Sequence, residues 1–498
     1  MVARASARLL AITLISSFAL VGPAISANAD SCESTKPLSN ATLTTNDLPN
    51  GGLLSRYQFP PGTANSSGYA GRLAVVKGNL NFFNVTPTHS AFRTVGSHEN
   101  LAGSVSAVAH INSDFFDFNS LMPYSAIGTN GRLDYSPQGS NQVVGVRLVA
   151  ATPKTGIRGK TYLQQGSKKV AVSGLNLPTI PVNGVTAYSS SYAKTQLPQG
   201  SYALLVIGGK VKAKYGSGST VRPTSGYLFV AKGSAANSLK AIAVGSSATY
   251  KLPAAKIPAL AKDRVTSNGV VSSTSGKTLS NISAVNFYKS PYDSGVVYFN
   301  DEYAGTSPAG NATVILNSSS VVTRVSNSGF SSGISAGNQV LQFYGNSASQ
   351  VSAFSAGMKV VVKRTFTSTS KMPFQTVFGA GHLIINGGVV TASCLGNSDT
   401  IRPRTALAWD NFGNVYLATT TMGRDWADGG AGGYRVGGST VHQIADWLKT
   451  LGATYAVSLD GGGSTTMLAM LSGNYHRVDL PDGVWTRWIP AGLAITNR

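Results

Sequence analysis

From Arg72 the chain alternates apolar and polar residues, "RLAVVKGNLNFFNV", around Lys77-Gly78-Asn79. Period-two alternation interrupted by a glycine predicts a strand, a turn and a second strand. The same pattern returns along most of the chain. Val105–Ile111 is an apolar run that ends abruptly in "NSDFFDF"; "GTNGRL" reads as a turn and "QVVGVRLVA" as a strand. Later, "RTALAWD" and "NVYLATT" flank Asn411-Phe412-Gly413 as a hairpin. One segment carries helical spacing: Val441, Ile444, Ala445 and Leu448 form an apolar stripe, with Ser439 as cap and Gly452 as stop. Tyr455–Leu459 then reads as a short strand that delivers Asp460. The fold class this predicts is α+β and strongly β-rich, a mixed-sheet core with few helices.

The middle of the chain repeats itself. "GVTAYSSSYAKTQLPQGSYALLVIGGKVKAK" from Gly184 aligns with "GVVYFNDEYAGTSPAGNATVILNSSSVVTR" from Gly295. Tyr192 falls on Tyr303, Pro198 on Pro308, and the hairpin Ala203–Lys214 on Thr313–Arg324. The match resumes in the stretches ending at Gly245 and Gly357. Two copies are too few for a solenoid, so two similar β-rich units are expected, at 184–245 and 295–357. The Ser/Thr/Asn/Gly-rich run from Ser267 to Ser283 reads as a surface loop between them. The resulting organisation is an arm over 30–70, a core over 71–155 and 366–498, and a duplicated insert over 156–365.

Composition narrows the compartment. Arg4 and Arg8 precede the apolar run Leu9–Val21, and Ala27-Asn28-Ala29 supplies a cleavage site, so residues 1–29 read as a secretory signal. No other stretch is apolar enough to span a membrane, and a secreted, extracellular protein is expected. In an oxidising setting Cys32 and Cys394, the two cysteines of the chain, can pair. Two cysteines build no zinc site, and the six histidines lack metal-ligand spacing. The formal charge is +21, or +19 without Arg4 and Arg8, spread without the basic runs of a nucleic-acid arm. Anionic cell-wall polymers or phosphodiester glycans are the natural partners, and nucleic acid is not.

Acids are scarce, 19 in 498 residues, which makes their grouping informative. Asp460 opens Asp-Gly-Gly-Gly-Ser-Thr-Thr; Gly461, Gly462 and Gly463 expose backbone that can cup an anion, and Ser464 and Thr465 add hydroxyls. Asn112, Asp114 and Asp117 sit in a second strand-end loop, where an Asx-turn with solvated acids is the plain alternative. Arg402 and Arg404 form a pair suited to gripping phosphate. Clustered carboxylates leave a divalent cation such as calcium open as a cofactor, with no fixed ligand spacing and no other cofactor implied.

Four blocks, in order, resemble the phosphodiester glycosidases, relatives of the enzyme that removes N-acetylglucosamine from a phosphodiester on lysosomal glycans. They are "AVAHINSDFFD" with "IGTNGRL", "GHLIINGG", "RPRTALAWDNFGNVYLATT" and "VHQIADWLKTLGATYAVSLDGGGSTTM". The resemblance implies hydrolysis of a sugar-1-phosphodiester at the anomeric carbon, with Asp114, Asp117, Arg404 and Asp460 in the pocket. It also implies a substrate-side role for Arg424, although Met422 stands where the family has an acid nearby. Two further readings use the same features: a glycoside hydrolase for phosphate-free glycan, and a non-catalytic basic wall-binding protein.

Overall fold

The computed structural model describes residues 35–60, 71–137, 142–151, 162–175, 180–189, 195–221, 225–251, 255–287, 294–304, 310–328, 333–394, 400–421, 437–480 and 486–498. Of these described residues 53% are strand and 11% helix, the β-rich α+β composition expected. The signal segment, Cys32 and Arg424 lie outside the described residues.

Two antiparallel sheets lie face to face and position the site. The first has eight strands in the order Thr42–Leu48, Gly52–Gln58, Arg72–Asn79, Asn414–Thr421, Arg404–Trp409, Tyr455–Ser458, Leu383–Asn386 and Val389–Val390. Its central strands are apolar on both faces. Ala74, Val76, Leu407 and Leu417 point toward the second sheet, while Leu73, Val75, Ala406 and Ala418 point to the helix Val441–Thr450. Ile444, Ala445, Trp447 and Leu448 of that helix cover the outer face. Thr440, not Ser439, caps it, because Gln443 three residues on completes a reciprocal capping box.

The second sheet runs Asn474–Arg477, Met467–Leu471, Ala107–Asn112, Ala491–Asn497 and Phe83–His89. Ile111, Met467, Leu493 and Ile495 fill the space between the sheets. The strand Arg72–Asn79 runs straight through the expected turn, which falls instead at residues 80–82. Gly78 is there for contact: a Cβ would stand 2.9 Å from the Phe83 ring. Asn79 closes the turn through its side chain, accepting from the Asn81 N–H at 3.0 Å.

The helix His98–Ser104 packs on the outer face of the second sheet. Between them lies a buried histidine pair, His98 Nδ1 to His110 Nδ1 at 3.3 Å, with His110 Nε2 2.9 Å from Thr88 Oγ1. Gly492 makes the room, since a Cβ there would stand 2.2 Å from His110 Nε2. Burial disfavours the imidazolium, pushing His110 down to about 3 and His98 well below its usual value, the latter also through His110 and Arg477. Both rings should therefore keep neutral-form NMR shifts from pH 7 down to 5. A midpoint near 6.5 for either would show that the ring is solvated.

A third sheet of seven strands carries the insert. Its longest strand, Ala255–Ser273, pairs with Gln142–Ala151 along its first half and with Val360–Ser368 and Thr278–Ile282 along its second. The run from Ser267 to Ser283 is thus mostly strand and not a loop. Val265, Gly269 and Val271 face inward, as does Ser267, 2.6 Å from the buried Ser136 hydroxyl, and Thr266 and Asn268 occupy the outer face. Asn130 and Gly131, both at positive φ, turn "GTNGRL" into a hairpin on the same sheet.

The two repeats fold alike. The first orders its strands Gly174–Leu175, Val185–Ser189, Tyr227–Lys232, Ser201–Ile207, Lys210–Gly216. The second follows with Ala284–Val285, Gly295–Asn300, Gln339–Tyr344, Ala312–Leu316, Val322–Ser326. Each begins with a parallel pair, the parallel ladders among the described strands. Each bulges at the same aligned place, Leu205/Val206 and Ile315/Leu316. Gly233 and Gly345, both at positive φ, then start a helix Ser234–Lys240 in one and a 3₁₀ segment Gly345–Ala353 in the other.

Candidate active site

The strand Tyr455–Ser458 sits between Arg404–Trp409 and Leu383–Asn386, and its end carries Asp460 to the rim where the two sheets meet. The Asp460 N–H donates to Ser113 O at 3.0 Å, and Asn112 Nδ2 donates to Asp460 O at 2.6 Å. Asn112 Oδ1 in turn accepts from Thr405 Oγ1 at 2.7 Å and the Thr466 N–H at 3.4 Å, while Thr405 Oγ1 reaches Thr465 Oγ1 at 3.3 Å. Asn112 and Thr465 are therefore braces that lock one acidic loop to the other.

The glycine loop spends backbone donors on itself. Gly461 N–H donates to Asp460 Oδ1 at 2.8 Å and Gly462 N–H to Pro403 O at 2.9 Å. Gly461 also lies so close to Pro403 O that a Cβ would stand 2.9 Å from it. Gly462 holds φ +61 with open space around it, and the turn continues through Gly463 to Ser464. Anion cradling by the Gly461 and Gly462 amides, the role expected from the glycines, would require breaking these bonds.

Asp460 is half-buried and its carboxyl is raised above the usual range. Desolvation dominates, opposed by hydrogen bonds from Ser464 and the Gly461 N–H and by the charge of Arg487. Asp114 is 8% exposed and is pushed up to about 6, first by burial and further by the neighbouring charge of Asp460. The Ser125 hydroxyl and the Phe115 and Ser125 N–H groups offset part of that. Its Oδ2 is buried without a hydrogen-bond partner, against Gly379, where a Cβ would stand 2.5 Å away. Asp117 takes the alternative reading in one respect: its Oδ1 accepts from the Asn119 N–H at 2.8 Å, an Asx-turn.

A cavity of about 670 Å³ opens over Asp460, Gly461 and Gly462. Phe115, His382, Ile384, Ser458, Val441 and Ile444 line it, with Arg402 and Arg404. Arg404 Nη2 donates to Thr400 O at 2.6 Å and Nε to Ser439 O at 3.3 Å, which aims the side chain. Burial and then the adjacent Arg402 lower it to about 10, so it stays cationic at neutral pH. A larger cavity, about 770 Å³, lies between Phe83–Pro87 and Pro373–Thr376, away from these acids.

Arg487 was not legible as a site residue. Its Nη1 donates to Ser464 Oγ at 3.4 Å and its guanidinium stands 5.4 Å from the Phe118 ring. Nor was the buried pair beneath the loop, Arg477 Nε to Asp479 Oδ1 at 3.1 Å, with Asp479 also accepting from the Met467 N–H. Neither lies in a motif; packing alone brings them in. Cys394 is disulfide-bonded, its expected partner Cys32 being outside the described residues. Among the described residues no group of three or more His, Cys, Asp or Glu could hold a metal ion, and no helix is long and apolar enough to cross a membrane.

Residues 310–496 match the phosphodiester glycosidase family. The match contains Arg402, Arg404 and the Asp460 loop and begins within the second repeat; Asn112, Asp114 and Asp117 precede it. The match spans less than half of the chain. No curated protein matches the sequence. Solved structures similar to the chain include three from different organisms. A Synechocystis protein is 16% identical, with a TM-score of 0.47, over 92% of this chain and 64% of its own. A Burkholderia pseudomallei protein is 13% identical, TM-score 0.42, over 86% and 74%. The zebrafish N-acetylglucosamine-1-phosphodiester α-N-acetylglucosaminidase catalytic domain is 13% identical, TM-score 0.31, over 93% and 87%. The chain thus spans less than two thirds of the Synechocystis protein's length.

Proposed function

We propose that this chain hydrolyses a sugar-1-phosphodiester at the anomeric carbon, with Asp460 facing the reacting sugar. The observation that carries the reading is a half-buried carboxylate, Asp460, in a cavity lined by two arginines and coupled by charge to the buried Asp114. A glycosyl phosphodiester brings its own good leaving group, so protonating that group matters little. The costly feature is positive charge at the anomeric carbon, and a desolvated carboxylate stabilises it.

Asp460 takes the role of that carboxylate because it lines the cavity, while its Ser464 and Gly461 hydrogen bonds favour the ionised form. Arg404 and Arg402 hold the departing phosphate; the guanidinium fork matches its oxygens. Asp114, coupled to Asp460 by charge, acts as a positioning residue. Phe115, Ile384 and Ile444 give the sugar an apolar wall. The finer reading, an exported enzyme acting on cell-wall or capsular glycopolymers, draws support from the N-terminal sequence and the net charge of +21.

The test is product identity. With a panel of sugar-1-phosphodiesters the expected products are free sugar and a phosphomonoester. Release of sugar-1-phosphate would mean attack at phosphorus and would refute the glycosidase mechanism.

A further inference from the structure

The two repeats share strand order, bulge and helix start but not charge. Between Asp134 and Asp263 the chain has sixteen Lys or Arg and no Asp or Glu, so the whole first unit lacks an acid. The second, over 284–358, sets Lys289 and Arg324 against Asp293, Asp301 and Glu302. In the alignment Lys210, Lys212, Lys232 and Lys240 fall on Ser320, Val322, Tyr344 and Ser352, whereas Lys214 falls on Arg324. Both sequences build the same sheet. Most of these lysines are therefore not demanded by the fold.

Several of them converge. Lys168 Nζ donates to Ala241 O at 3.0 Å and Lys214 Nζ to Lys240 O at 3.1 Å, both at the C-terminal end of the helix Ser234–Lys240. Lys240 Nζ lies 5.8 Å from the Tyr202 ring centre, and Lys169 Nζ lies 3.9 Å from that of Tyr162. Lys168, Lys169, Lys210, Lys212, Lys214 and Lys240 are all exposed. The helix carbonyls hold two ammonium groups in place, but no carboxylate in the unit neutralises any of them. Mutual repulsion at this density is relieved by a polyanion, whose binding releases its condensed counterions. The family match covers the second unit from residue 310 and leaves the first outside it.

We infer that the first repeat is a docking module for the anionic, phosphodiester-linked glycopolymer that carries the substrate linkage. It grips phosphates repeated along the polymer while the cavity acts on a sugar. The choice of polymer rests on the function proposed above; the docking itself rests on the charge and placement of the lysines.

The test compares the full chain with the variant Lys168→Gln/Lys210→Ser/Lys214→Gln/Lys240→Ser, two of whose changes install the residue found in the second repeat. Binding to poly(glycerol phosphate) is measured against salt, beside hyaluronan and duplex DNA. The variant should bind poly(glycerol phosphate) about tenfold or more weakly, with the slope of log K on log salt reduced by roughly one per lysine engaged. Thermal unfolding and hydrolysis of a small sugar-1-phosphodiester should be unchanged. Equal binding by variant and wild type would overturn the inference, as would tighter binding of the wild type to DNA or hyaluronan at equal salt. If small substrates are not hydrolysed yet binding follows the lysines, the glycosidase mechanism falls and the docking module stands.

Discussion

Asp460→Asn should lower turnover by at least about 10²–10³-fold, the usual loss when one preorganised electrostatic partner of a transition state is removed. The substitution keeps shape, so the loop should survive it. Asp460 contributes its main-chain N–H to Ser113 and its carbonyl to Asn112, and neither bond involves the carboxylate. What changes is the charge under the cavity and the acceptor for the Gly461 N–H. Thermal unfolding measured beside the rate separates the two possibilities. Near-wild-type turnover with an unchanged fold would remove this loop from the chemistry and leave Asn112–Asp117 as the remaining candidate.

Asp114→Asn should stabilise the protein at pH 7 by up to roughly 3 kcal/mol, about two pKa units at ~1.4 kcal/mol each. The folded carboxyl holds its proton up to about 6, against an ordinary value of 3.8. In that window the folded state binds the extra proton, so ionisation weakens the fold as pH rises from about 4 to 6, and the loss is complete above 6. Asparagine has no such loss. The gap in Tm between variant and wild type should therefore be widest at pH 7 and vanish near pH 4. Part of it arises from the charge on Asp460, so the gain should shrink in an Asp460→Asn background. A gap that is zero or negative at pH 7 would mean that Asp114 is solvated or paired in solution.

Legibility followed periodicity. Strands buried on both faces, such as Arg404–Trp409, and the single-sided helix Val441–Thr450 announce themselves because their apolar spacing is local. The duplication was legible for a similar reason: side-chain spacing over one hairpin repeats in the next, down to the bulge. The polar run over 267–283 misled because a strand with one exposed face and small residues resembles a loop in composition. Gly78 misled because close packing against Phe83, not a turn, requires a bare backbone there.

By itself the sequence determined the β-rich class, the paired repeats, and the two short acidic loops that matter, since rare acids beside glycine and asparagine at strand ends stand out locally. Only the tertiary structure decided that Asn112 and Thr465 brace the loops, that two glycine amides are already committed, and that Arg487 and Asp479 belong to the neighbourhood. One of these links, Asn112 to Asp460, joins residues 348 positions apart, and none of them lies within one periodic element. Their energies depend on burial and distance, which come into being when the two sheets close on each other.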